Sequence, residues 1–125
     1  MRVAMRGAAR DLEDMGVLRG GRPTKFFKLL AVRSAERFRE YLIRRGQLQA
    51  FREALRREPL EAVLAYLLTV VLTIISVERR RRGLPDPLLF DMRYAEELGA
   101  ALLRALREDE EFRRSVLRAL ASAVR

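Results

Sequence analysis

Cysteine, histidine and tryptophan are absent from this 125-residue sequence, and lysine occurs only at positions 25 and 28. Without cysteine there is no disulfide framework, no thiol nucleophile and no thiolate metal ligand. Without histidine the commonest general base and the commonest zinc ligand are missing. Carboxylates remain, as Asp11 with Asp14, Glu96 with Glu97, and the run Glu108 to Glu111. Each lies among arginines on a charged helix face or helix start, where ordinary ion pairing accounts for it. Gly20-Gly21 is not followed by the Lys-Ser/Thr of a phosphate-binding loop, and there is no nucleophile elbow. The expectation is a non-catalytic protein with no cofactor and no metal.

The sequence is half apolar and 34% charged, with 26 basic against 17 acidic residues and a net charge of +9. Its length suits one domain, residues 1–125, with enough apolar material for a core. The arginine excess matches GC-rich coding or a thermophile-like composition as well as a polyanion partner. Its distribution is more telling. Residues 1–33 hold eight basic and three acidic side chains, and residues 84–125 hold seven and eight. A polyanion is therefore expected first at the N-terminal quarter.

Apolar spacing predicts helices over most of the sequence. Met1, Met5, Ala8, Leu12 and Met15 form one stripe, with Arg2, Arg6 and Arg10 on a neighbouring face and Gly16 as terminator. Val17-Leu18-Arg19, a Gly20-Gly21-Arg22-Pro23 turn and a strand over Thr24 to Ala31 read as a β-hairpin. Ser34 reads as an N-cap ahead of a stripe through Phe38, Tyr41, Leu42, Leu48, Phe51 and Leu55, broken at Gly46. Pro59 suits the first turn of the next helix.

Residues 62–77 carry no charge, and the following Arg79 to Arg82 reads as a solvated helix end. At 16 residues the run is short for a membrane span, which needs about 20. The expectation is a central buried helix and no membrane. Leu64, Leu67, Leu68, Val71, Leu72 and Ile75 would serve the core or a homodimer contact. Asp86 and Pro87 open a further helix burying Leu88, Leu89, Met92, Leu98, Leu102 and Leu106. Asp109 opens the last one, with Phe112, Val116, Leu117, Leu120 and Val124 as its stripe. No apolar leader segment opens the sequence, so the expected location is cytoplasmic.

One ordered set of residues carries more information. Leu12 to Met15, Gly16-Val17-Leu18, the Gly20-Gly21-Arg22-Pro23 turn and Lys25-Phe26-Phe27-Lys28-Leu29 resemble the end of a winged helix-turn-helix domain. In regulators of the MarR, ArsR and PadR type, a recognition helix commonly ends in Leu-x-x-x-Gly-hydrophobic. A hairpin wing follows, with a return strand such as Lys-Tyr-Tyr-Arg-Leu. The resemblance covers residues 1–31. It implies that Arg2, Arg6 and Arg10 match the groove-facing side of the recognition helix, Arg22 (with Arg19) the wing tip, and Lys25 and Lys28 backbone-contacting strand positions. The family places two helices before the recognition helix, whereas Met1 falls inside the matching segment: either the upstream part is missing from this sequence, or other helices take its place, or the match is accidental.

The expected fold is mainly α: five or six helices with one wing-like N-terminal hairpin, residues 34–125 forming the helical and dimerising part. The expected function is duplex DNA binding by a dimeric winged-helix-type regulator. Two other classes fit the same residues. One is a helical, non-catalytic nucleic-acid-binding subunit of a larger assembly such as an RNA-guided defence complex; the other is a protein–protein interaction module.

Overall fold

A computed structural model describes residues 7–84 and 92–125. The fold is mainly α, with one two-stranded antiparallel hairpin near the N-terminus. Helix α1 (Ala8–Asp14) leads into strands β1 (Leu18–Arg19) and β2 (Arg22–Pro23). Helices α2 (Lys25–Arg33), α3 (Ala35–Arg44), α4 (Leu48–Arg57), α5 (Pro59–Arg81), α6 (Met92–Glu108) and α7 (Glu110–Ala123) follow. The described residues thus hold seven helices, one more than the five or six expected. The extra one is α2.

Helix α2 occupies the segment read as the return strand, so that reading is corrected. Thr24 is its N-cap and accepts from the Phe27 amide at 3.1 Å. Phe27 and Ala31, four residues apart, are the buried pair, whereas strand alternation would have joined Phe27 to Leu29. Leu29 is exposed instead. Mixed character on both alternating faces of Lys25 to Leu30 was the helical signal, because an apolar stripe at period 3.6 looks mixed when read at period 2.

The punctuation elsewhere follows local chemistry. Gly16 (φ 74°) and Gly46 (φ 68°) end α1 and α3 in the left-handed region. In both, the next amide reaches back to close the last turn: Val17 N to Leu12 O at 2.9 Å and Gln47 N to Leu42 O at 2.8 Å. Pro59 stands in the first turn of α5, and Asp109 caps α7 by accepting from the Phe112 amide at 3.0 Å. Ser34 holds the N-cap position of α3 but makes no capping bond, because its side chain faces Tyr66. The Asp86 cap, Pro87, Leu88 and Leu89 lie outside the described residues.

Helix α5 is the structural axis, packed against α4, α6 and α7. It buries Ala62, Val63, Tyr66, Leu67, Val71 and Ile75. Leu64, Leu68 and Leu72 are only partly buried, so the helix is not enclosed all round. It is long and apolar enough to cross a membrane, a test that core helices also pass, and 33% of its most apolar stretch is buried. Enclosure fails because α4, α6 and α7 each offer one apolar stripe and keep their opposite faces charged. Leu98, Leu102 and Leu106 are buried on α6, and Phe112, Val116, Leu120 and Val124 along α7, as expected. Met92 is not: it is 74% exposed. It precedes the buried Tyr94 by two residues, about 200° around the helix.

Phe38 gathers an aromatic cluster, with ring centroids 4.8 Å from Tyr66, 5.1 Å from Phe51 and 5.9 Å from Tyr41. Tyr66 donates its hydroxyl hydrogen bond to the Ala31 carbonyl, tying α5 to the end of α2. Burial pushes this hydroxyl well above the ordinary phenol value of 10.0, partly opposed by the Ser34 hydrogen bond.

Two predictions follow from this packing. A raised folded-state pKa means that stability is fully present below the unfolded pKa of 10.0 and declines as pH rises beyond it, because only the unfolded chain then releases the Tyr66 proton. Urea unfolding between pH 8 and 11 should show a shallower decline for Tyr66→Phe than for the wild type; an identical decline would refute the account. Phe27→Ala should cost about 3–5 kcal/mol and Leu29→Ala roughly 0.5 or less, whereas a strand would make the two costs similar.

Candidate nucleic-acid interface

The hairpin is built around two glycines. Gly20 and Gly21 have φ of 61° and 80°, the pair of positive values that a two-residue type I′ turn demands. Arg19 and Arg22 are therefore direct cross-strand partners, with Leu18 opposite Pro23 behind them. Leu18 and Pro23 are buried and the two arginines exposed, so the apolar pair pins the hairpin and the tip projects. Glu13 supports the turn from α1. Its carboxylate accepts from the Gly20 amide at 2.9 Å and the Gly21 amide at 3.4 Å.

Thr24 sets what comes next. Its hydroxyl donates to the Gly16 carbonyl at 2.5 Å and accepts from the Phe27 amide, so one side chain joins the end of α1 to the start of α2. Lys25 is consequently the first residue of α2, at the positive end of that helix's dipole, where a cation is disfavoured. Arg19, Arg22, Lys25 and the 54% exposed ring of Phe26 line one open groove of about 640 Å³. Among the described residues no carboxylate lies within ion-pair distance of the Arg19, Arg22 or Lys25 side chains.

The structure thus brings together three of the seven basic residues singled out in the sequence. Arg10 is exposed on α1 and does not line the groove. Lys28 faces away and pairs with Asp109 at 3.5 Å, joining α2 to the start of α7. Arg2 and Arg6 lie outside the described residues. Of the six residues assigned to a core or dimer helix, Leu67, Val71 and Ile75 are in the core and Leu64, Leu68 and Leu72 at its margin.

Two participants were not evident from the sequence. Phe26 and Phe27 are adjacent aromatics whose roles the sequence pattern does not separate. Phe27 does pack on Phe112, at 5.6 Å between centroids, but the helical turn sends Phe26 to solvent. Glu13 gave no signal, since its contact is made across a turn whose geometry the sequence left implicit. Arg22 also borders a smaller groove with Glu108, Asp109 and Glu110, so the basic groove is flanked by an acidic corner.

At the far end of α5, Arg82 and Arg81 pair with Glu78 at 3.0 and 4.0 Å. Arg79 lines a mixed cleft with Asp11, Asp14 and Glu78. Among the described residues no cluster of three or more acidic side chains is arranged to hold a metal ion.

No protein-family model, curated protein or solved structure matches this chain. The site is therefore read from its own chemistry, which is that of an anion-attracting groove with an exposed aromatic wall. Thr24→Ala should loosen this junction, costing about 1–2 kcal/mol in chemical denaturation, while Thr24→Ser should cost less than half of that. Equal losses from the two variants would show that the hydroxyl is not what holds the groove.

Proposed function

We propose that the protein binds nucleic acid without catalysing a reaction, with duplex DNA as its partner and the hairpin tip as its phosphate-contacting element. The observation that carries this reading is the placement of Arg19 directly opposite Arg22 across the Gly20-Gly21 turn. Like charges facing each other across a strand pair are destabilising, and Lys25 at a helix N-terminus adds to the same positive field. A polyanion relieves all three at once, and arginine suits phosphate through its planar fork of donors. In the role this reading favours, a regulator, two copies would present two such tips to one duplex.

A second reading draws on Phe26. An exposed aromatic ring beside three cations is the pairing that holds single strands, the ring stacking on a base while the cations follow the backbone. The helical state of Lys25 to Leu29 also leaves the wing only two residues per strand, short of the extended wing in the regulators that the sequence resembles. This reading gives a non-catalytic subunit of a nucleic-acid assembly.

Anisotropy titrations with labelled duplex and single-stranded DNA over a range of salt concentrations separate the possibilities. The first reading expects duplex preference, with log affinity falling linearly in log salt. Arg22→Ala/Lys25→Ala should then make that slope shallower by about 2. Comparable single-strand binding that loses about 1–3 kcal/mol in Phe26→Ala supports the second. Absence of binding to both at about 0.15 M salt would overturn the nucleic-acid reading altogether.

A further inference from the structure

The open side of α5 carries a charge pattern that its own chain does not use. Stepping along that side from Glu61 reaches Ala65, Thr69, Leu72, Ser76 and Arg80, a seam of four-residue steps with one three-residue step at its centre, all on one helix face. All six are exposed or only partly buried. Glu61 and Arg80 stand at opposite ends, about 28 Å apart at 1.5 Å per residue. Neither side chain has an ion-pair partner among the described residues. Between them the seam is uncharged. The Thr69 and Thr73 hydroxyls donate to the Ala65 and Thr69 carbonyls at 3.0 and 2.9 Å, so both threonines can present methyl groups and be buried without losing a hydrogen bond.

We propose that this face pairs with the same face of a second copy, the two α5 helices running antiparallel, so that Glu61 of each copy meets Arg80 of the other. The seam is its own complement under a two-fold axis. Setting Glu61 against Arg80 of the second copy fixes the register, and Ala65 then faces Ser76 of the second copy. Thr69 falls opposite Leu72 and Thr73 opposite Leu68 of the second copy. A short side chain meets a long one at each central step, which is how facing helices interdigitate at a shallow crossing. The contact is isologous, so each ion pair occurs twice. A parallel pairing would instead set Glu61 against Glu61 and Arg80 against Arg80. Charge therefore selects the direction as well as the partner. The leucines left at the margin of the core, Leu64, Leu68 and Leu72, lie at or beside this seam and gain the cover that α4, α6 and α7 do not supply. This inference is independent of what the hairpin binds.

Sedimentation of the full chain without nucleic acid tests it. The wild type should be a dimer at micromolar concentration. Glu61→Arg and Arg80→Glu, each alone, create two like-charge contacts and should weaken dimerisation about tenfold or more. Both substitutions in one chain should restore it. An equimolar mixture of the two single variants should form a heterodimer, because each then supplies the charge that the other lacks. Both positions are exposed, so unchanged helical circular dichroism should accompany every variant. A monomeric wild type would overturn the proposal, as would a dimer indifferent to the single substitutions or single variants that fail to associate when mixed.

Discussion

A 23-residue helix with an uncharged centre has to be covered by a 125-residue chain, and most of the structure is arranged around that requirement. Leaving such a helix in water costs roughly 25 cal/mol for each Å² of apolar surface, so the remaining helices contribute their apolar stripes to it. Helix α4 folds back onto it directly, and α6 and α7 return from the C-terminal third of the chain to close a second side. The aromatic cluster around Phe38 sits where α3, α4 and α5 meet, with Tyr66 as the α5 member. The Tyr66 hydroxyl also anchors the end of α2 through the Ala31 carbonyl. What is buried is thus buried against α5 or against an element that leans on it.

The hairpin stands outside this packing yet is tied to it at both ends. Ala8 and Leu12 fix α1 in the core, and Phe27 and Ala31 fix α2. The nine residues from Met15 to Pro23 are then spanned by a Gly16 terminator, a Gly-Gly turn, the Glu13 carboxylate and the Thr24 hydroxyl. These local devices leave Arg19 and Arg22 little freedom to move apart. A rigid support under unpaired like charges distinguishes this tip from the arginines of α5, where Arg81 and Arg82 have Glu78 as a nearby carboxylate. The acidic corner at Glu108, Asp109 and Glu110 gives the groove a positive and a negative side.

Much of this was legible in the sequence because it depends on local chemistry. Gly16 and Gly46 end helices since the left-handed region favours glycine, and Pro59 and Asp109 start them since one presets φ and the other caps free amides. The apolar run at 62–77 announces itself by composition, and the stripe of α7 by period. The Thr24 to Ala31 segment was less legible. Phe26-Phe27 has aromatic β propensity, a preceding Gly/Pro turn suggests a hairpin, and eight residues are too few for period alone to decide. Its helical state is settled by Thr24, whose hydroxyl caps the helix while bonding back to Gly16, and by Phe112 on a distant helix receiving Phe27.

By itself the sequence determined a mainly helical single chain, the position of the hairpin, most helix ends and the concentration of positive charge near the N-terminus, because each depends on residues within a few positions of one another. Only the tertiary structure decided which phenylalanine is core and which is surface, that Lys28 serves Asp109 and leaves Lys25 with the hairpin arginines, and which side of α5 lies open. These are properties of where distant segments meet. Helical rotation of 100° per residue makes neighbours in sequence face different surroundings, and no local pattern states what those surroundings will be.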